Sequence, residues 1–175
     1  MSTQDTKISV SKLILLYLFN AVDIKLSELQ IIRCITNQNW SNYFDIKESL
    51  FELNKSGMLE KRESPNGLFY HITTSGKESI GLFYKDILHS VRDSIDQYSK
   101  ANKDQLKKES DLFADYIKLG DDEYRVSLRI LDDTRSIFEI NLVVYSKDEA
   151  EQMMNNWLSS AQNIYKFDYT ELMNE

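Results

Sequence analysis

Cysteine and glycine are both scarce in this chain of 175 residues. The single cysteine, Cys34, excludes an internal disulfide framework and fits a reducing compartment. It lies in the apolar pattern of a predicted helix, which favours a buried side chain over a redox sensor. The five glycines form neither GxGxxG nor GxxxxGK followed by Ser or Thr, so the known glycine-rich phosphate loops are excluded.

Long hydrophobic runs are missing as well. The apolar run LILLYLF, residues 13–19, is far shorter than the roughly 20 residues of a membrane-spanning helix. It follows a polar start and no cleavage-like site comes after it, so a signal peptide is not predicted. We therefore expect a soluble, cytoplasmic protein with no membrane partner.

Patterns for catalysis or metal binding are also lacking. Neither His71 nor His89 has a Cys or a second His at metal-ligand spacing. The aspartate pairs at 121–122 and 132–133 fall at predicted turns, where aspartate is favoured because it hydrogen-bonds the backbone. We expect a protein that is not an enzyme, with no catalytic residues, no metal and no cofactor.

Excess positive charge, which would favour nucleic-acid binding, is absent: the formal net charge is -7. Residues 1–84 carry 9 Lys/Arg and 9 Asp/Glu, whereas residues 85–175 carry 12 and 19. All the excess acid therefore lies in the second half. The neutral first half permits contact with DNA without arguing for it.

What the first half does contain is helical periodicity. Apolar spacing predicts helices over residues 8–20, 28–37 and 42–57. Ser27 followed by Gln30 is a capping-box pattern, which marks the start of the second helix. Gly57 ends the third helix because glycine tolerates a positive φ.

A hairpin over residues 59–72 follows, with its turn at residues 65–67. Alternation places Leu68, Tyr70 and Ile72 on one face and Phe69 and His71 on the other. A fourth helix begins near Ser75. Three helices, a hairpin and another helix in this short span predict a winged helix-turn-helix.

The stretch SGMLEKRE…FYHITTSGKE resembles the recognition-helix end, wing and wing-to-helix exit of bacterial winged-helix regulators of the MarR and PadR kind. The matching residues are Ser56, Gly57, Leu59, Tyr70, Ile72, Thr73 and Gly76. The overall layout, with NYF opening the third helix and NNWLSSAQNIY near the end, is similar to a family of uncharacterised bacterial winged-helix proteins. The resemblance implies a sequence-specific, DNA-binding transcriptional regulator that acts as a homodimer.

Residues 84–105 form a heptad-like stripe at alternating four- and three-residue steps. A solvated helix that leans on its own domain would show this stripe, and so would a dimerisation helix. The second interpretation is favoured, because nothing nearby in the sequence offers the stripe a partner. Its dimerisation residues would be Leu88, Val91, Ile95 and Tyr98.

Three antiparallel strands and a covering helix are predicted next, with turns at residues 120–122 and 133–135. One register places Tyr124, Val126, Leu128 and Ile130 opposite Val144, Leu142, Ile140 and Phe138. The same register sets Arg129 across from Glu139 on the other face, and agreement between the faces supports it. Ser146 and Glu149 form a second capping-box pattern, which starts the last helix.

The predicted fold class is therefore α+β, with three parts. Residues 1–84 form a winged-helix DNA-binding domain and residues 85–111 a linking or dimerisation helix. Residues 112–175 form a C-terminal α+β domain for dimerisation or for regulation by a small-molecule or protein effector.

In a winged helix the third helix enters the major groove of double-stranded DNA and the wing contacts phosphates or the minor groove. The predicted DNA-binding residues are Ser41, Asn42, Tyr43, Lys47, Lys61, Arg62 and Asn66. Asn pairs with adenine edges, hydroxyl groups hold phosphates, and Lys61 and Arg62 are the phosphate partners on the wing.

Acidic residues oppose this interpretation. The third helix carries Asp45, Glu48 and Glu52, and several carboxylates repel a duplex. An alternative is a winged helix that binds a protein instead of DNA, with Phe44 and Phe51 as an exposed apolar patch.

Overall fold

The computed structural model describes residues 8–64, 67–132 and 135–174 and shows a mixed α+β protein. The chain divides into two compact units: the first ends at residue 107, and the second takes up the chain from residue 108. The division falls inside a long helix, residues 89–111, most of which belongs to the first unit. The predicted three-part organisation, with boundaries after residue 84 and after residue 111, stays a prediction.

The first unit contains most of the helices. In chain order they are α1 (Val10–Val22), α2 (Glu28–Asn37), α3 (Tyr43–Lys55), α4 (Thr74–Phe83) and α5 (His89–Asp111), with a 3-10 turn at Tyr84–Asp86. Helix α2 has the predicted bounds, because the capping box of Ser27 and Gln30 is formed in both directions. Helix α1 starts later than predicted, since Ser9 is its N-cap, and it ends before Asp23, whose φ of 49° is left-handed.

A small sheet accompanies these helices, with strands β1 (Leu26–Ser27), β2 (Leu59–Ser64) and β3 (Gly67–Ile72) in the order β1-β3-β2. The predicted turn residues Pro65 and Asn66 lie outside the described residues. Phe69, predicted on the face of β3 opposite Tyr70 and Ile72, is buried as well: its side chain is only 4% exposed, and it lies outside the core cluster that contains those two residues. Strand β3 is central, and the Lys25 ammonium lies 5.5 Å from the centre of the Phe69 ring.

The exit from the hairpin is held by Thr73 and Gly76. The Thr73 hydroxyl donates to the Gly57 carbonyl at 2.7 Å and accepts from the Gly76 N–H, so it caps α4. A Cβ on Gly76 would lie 2.2 Å from the carbonyl oxygen of Met58 and 2.8 Å from Cγ1 of Ile72. Only glycine fits where α4 crosses this backbone, which explains the motif physically.

The stripe on α5 packs into the core of its own unit. Ile95 is fully buried, and Val91 and Tyr98 pack against the same apolar cluster. The Tyr98 hydroxyl lies 2.9 Å from Sγ of Cys34, which is buried as predicted. In the structure, the stripe therefore packs against its own domain, which is the first of the two interpretations.

Leu88 differs from the other predicted dimerisation residues. It precedes α5 and is 72% exposed, so it contributes little to the core. Homodimerisation itself stays a prediction, but within the folded unit Ile95 is unavailable for it.

The second unit is an antiparallel sheet covered by a helix. Its strands β4 (Leu112–Gly120), β5 (Glu123–Asp132) and β6 (Arg135–Val144) lie in the order β4-β5-β6, and α6 spans Lys147–Met173. The β5–β6 register is the predicted one, with Val126 opposite Leu142 and Arg129 opposite Glu139. The Trp157 side chain is buried against the sheet, and its indole N–H donates to a carbonyl of β5 at 3.1 Å.

Candidate interaction surface on helix α3

Helix α3 is amphipathic, and its two faces are clearly separated. Ile46, Leu50 and Leu53 are buried in the core of the first unit. The opposite side, which we call the α3 outer face, consists of Phe44, Glu48, Phe51 and Lys55. Phe44 is 80% exposed and Phe51 is 69% exposed. Large apolar side chains this exposed, at helical spacing on one face, indicate a contact surface.

Tyr43 extends this face at the start of the helix. Its ring packs edge-to-face on Phe44, with 5.5 Å between ring centres, and 47% of the residue is exposed. The first turn of α3 therefore presents two aromatic rings, one of which carries a hydroxyl group.

The two polar residues before them are engaged inside the protein. The Ser41 hydroxyl lies 3.0 Å from the hydroxyl of Ser11. The Asn42 side chain caps α3: its Oδ1 accepts from the Asp45 N–H at 3.0 Å and its Nδ2 donates to the Asp45 carboxylate at 2.7 Å. If Asn42 bound a DNA base, its side chain would have to leave the N-terminus of α3, and the helix would lose its N-cap.

Lys47 is joined to an acidic residue of α2. Its ammonium donates to the Glu28 carboxylate, whose other oxygen accepts from the Tyr70 hydroxyl at 3.4 Å. The bond to Glu28 raises the pKa of Lys47 above its ordinary value. Burial is the main reason that the pKa of Tyr70 is also raised. The cluster joins α2, α3 and β3.

The predicted wing residues have different surroundings. The Arg62 guanidinium donates to the Glu60 carboxylate at 2.9 Å, and that bond lowers the pKa of Glu60. The His71 ring lies 3.1 Å from the same carboxylate. Lys61 is exposed and makes no ion pair within the described residues. Asn66 lies outside the described part of the chain.

Of the predicted site, the structure thus gathers Ser41, Asn42, Tyr43 and Lys47 at the start of α3 and places Lys61 and Arg62 on β2. Sequence reasoning did not include Glu28, whose pairing with Lys47 spans 19 positions and leaves no local pattern. Nor did it include Lys55, although the stripe opposite the buried residues contains it.

The described residues show no group of three or more His, Cys, Asp or Glu side chains suited to holding a metal ion. Among them, no helix has the length and apolar character that crossing a membrane requires.

Comparison with known proteins places the chain in a family. No curated protein and no solved structure matches the chain. A family model described as a domain of unknown function, DUF4364, matches residues 11–172. Since this match covers nearly the whole sequence, the chain belongs to the DUF4364 family.

Proposed function

We propose that the first unit is a winged helix-turn-helix domain that binds double-stranded DNA, and that the protein is a homodimeric transcriptional regulator. The order α1-β1-α2-α3-β2-β3-α4, with the sheet order β1-β3-β2, supports this architecture. In it, α3 is the recognition helix and the β2–β3 hairpin is the wing.

The exposed α3 outer face is the observation that carries the proposal. A recognition helix must keep one side free of its own domain, and α3 does so from Phe44 to Lys55. Aromatic side chains there are suited to the methyl group of thymine, and the Tyr43 hydroxyl to phosphate. Lys55 and Lys61 supply cations at the end of α3 and on the wing.

The ion pairs of Lys47 and Arg62 do not prevent DNA contact. The Arg62 pair is exposed and the Lys47 pair is partly exposed; pairs at a protein surface are typically worth about 0–1 kcal/mol, so a phosphate can displace the carboxylate. Glu48, in the middle of the α3 outer face, does oppose a duplex. We therefore expect modest monomer affinity, strong salt dependence and a requirement for two half-sites read by a dimer.

The test is selection of DNA by the full chain. Sheared genomic DNA from the source organism is incubated with the protein near physiological salt, and the retained fragments are sequenced. Enriched sites that share a palindrome support the proposal; uniform recovery or none, from folded protein, contradicts it.

A matched pair of variants then tests the surface. Changing Lys55 and Lys61 to Ala should weaken binding to all sequences alike and reduce the salt slope by about 0.9 for each phosphate that is no longer neutralised. Lys118→Ala, at an exposed residue of β4 in the second unit, should leave both the affinity and the salt slope unchanged. An unchanged slope in the double variant would remove these lysines from the interface.

A second candidate function is binding to a protein through the same face. The exposure of Phe44 and Phe51 on either side of Glu48 favours it, because two apolar anchors flanking a carboxylate fit a partner with an apolar groove and a basic side chain. Phe44→Ala with Phe51→Ala should abolish such binding. Leu82→Ala, an equally exposed apolar change on α4, should not. This function would replace the first if folded protein retains no DNA even at low salt.

A further inference from the structure

The second unit ends in an unprotected edge strand. In the order β4-β5-β6, strand β6 pairs with β5 and with no other strand among the described residues. Backbone N–H and C=O groups on its free side form a template for another strand. From Phe138 to Val144 the strand has one charged residue, Glu139, and no proline. The register shift near Ile137 leaves this stretch regular.

The apolar layer under α6 also opens to solvent at β6. Val126 of β5 is fully buried, but its neighbour Leu142 on β6 is 39% exposed on the same face. Helix α6 packs mainly over β4 and β5, which explains the difference. On the other face of β6, Val143 is 45% exposed. Both faces of the edge therefore keep apolar surface uncovered.

The opposite edge is better protected against pairing. Strand β4 carries the charged residues Asp115 and Lys118, and its register shifts between Lys118 and Gly120. Charged side chains and bulges are the means by which natural sheets block an edge. Over the stretches that pair regularly, β4 carries two charged residues whereas β6 carries one between Phe138 and Val144, so β6 is the less protected of the two edges.

We propose that β6 pairs antiparallel with β6 of a second copy of this chain, about a two-fold axis at Ile140. In this register Phe138 faces Leu142 of the second copy, and Glu139 faces Asn141 of the second copy. Apolar side chains then meet on the covered face, and a carboxylate meets an amide on the other face. A two-fold axis one residue earlier would set the two Glu139 carboxylates opposite each other, which is unfavourable.

Helix α6 strengthens the case for a second copy. The two-fold axis is perpendicular to the joined sheet, so both copies place α6 on the same side. The Tyr165 ring packs on the Phe138 ring of β6, with 5.3 Å between the ring centres. The Tyr169 ring centre lies 6.1 Å from that of Tyr165, and 57% of Tyr169 is exposed. This aromatic edge lies along the side of β6, where α6 of the second copy would cover it.

This dimer would be the homodimer of the proposed function. Its biological role rests on that function, but its existence can be tested separately, because the test involves no DNA. In sedimentation velocity, the wild-type chain should be a dimer at micromolar concentration. Leu142→Lys with Val143→Lys should raise the dimer dissociation constant by about tenfold or more. Ile117→Lys with Leu119→Lys, at similarly exposed apolar positions on β4, should leave it unchanged. A monomeric wild type, or a β6 variant that remains dimeric, would overturn the proposal.

Cross-linking tests the register and does not depend on the lysine variants folding. In a Cys34→Ser background, Ile140→Cys places two thiols across the axis, where paired Cα atoms lie about 4.5–5.5 Å apart, within disulfide range. Mild oxidation should therefore yield a covalent dimer. Asn141→Cys should cross-link much more slowly, because it faces residue 139 of the second copy. Faster cross-linking at 141, or none at either position, would contradict the proposed pairing.

Discussion

The Lys47 ammonium donates a hydrogen bond to the Glu28 carboxylate and so joins the second turn of α3 to the first turn of α2. This bond neutralises a cation beside the α3 outer face. The raised pKa of Lys47 means that its charge stabilises the pair at neutral pH, and this stabilisation is lost as the pH rises past 10.5 through the higher folded pKa. In the proposed complex with DNA, Glu28 would compete with phosphate for Lys47 at physiological pH.

Glu28→Gln should increase DNA affinity. The change keeps the shape of the side chain but removes its charge, so a phosphate no longer has to displace a carboxylate from Lys47, and the dissociation constant should fall by up to about fivefold. The measurement is a salt titration of binding to a site recovered by the genomic selection. Lys47→Ala in the same background should cancel the gain. A gain that survives Lys47→Ala would show that Glu28 acts through repulsion of the duplex and not through Lys47.

Two glycines of α4 should respond to alanine in opposite directions. Gly76→Ala places a methyl group against the Met58 backbone and should destabilise the first unit by about 1–3 kcal/mol or more. Gly81→Ala meets nothing within 4 Å and should stabilise α4 by about 0.5–1 kcal/mol.

Tryptophan fluorescence can measure the stability of the first unit separately in these two variants. The chain has two tryptophans, Trp40 in the first unit and Trp157 in the second. In a Trp157→Phe background, urea unfolding followed by fluorescence reports the surroundings of Trp40. Equal free energies of unfolding for the Gly76→Ala and Gly81→Ala variants would contradict the close approach of α4 to the backbone at Gly76.

The heptad-like stripe should behave as core. Ile95→Ala removes a fully buried side chain and should lower the free energy of unfolding by about 2–5 kcal/mol. Leu88→Ala, at a residue that is 72% exposed, should change it by less than about 0.5 kcal/mol. Sedimentation should show the same oligomeric state for both variants while they are folded. If Leu88→Ala alone dissociates the dimer, the dimer interface includes this stripe.

This stripe shows where prediction from sequence is limited. A helix that packs on its own domain and one that packs on a second chain bury the same apolar spacing, so the pattern cannot tell them apart. The partners of Tyr98 are Cys34 and Trp40, more than 50 positions away, and no local signal marks them. On α3, in contrast, the buried stripe fixes the exposed face directly.

The second sheet was predicted well for a physical reason. Matching β5 to β6 on both faces leaves one register, because a shift by one residue would turn every side chain over. Strand β1 was missed because two residues show no alternation. A hairpin alone leaves β3 at an edge, whereas the actual sheet makes β3 the central strand.

The ion pair of Asp23 and Lys77 should give the first unit a measurable pH dependence. The Lys77 ammonium lies 2.8 Å from the Asp23 carboxylate, joins the end of α1 to α4, and lowers the pKa of Asp23 below 3.8. A lowered folded pKa contributes stability above the unfolded pKa, and this contribution disappears as the pH falls through the folded value. Because the pair is exposed, the effect should be under about 1 kcal/mol.

Asp23→Asn isolates this charge, because asparagine also tolerates the left-handed backbone at position 23. Free energies of unfolding measured from about pH 5 down to about pH 2.5 should fall less steeply for this variant than for the wild type. Asp122→Asn is the matched control: its backbone is also left-handed, with a φ of 52°, and it has no ion pair within the described residues. That control should keep the wild-type slope. If both variants reduce the slope equally, the effect comes from overall charge and not from the bond to Lys77.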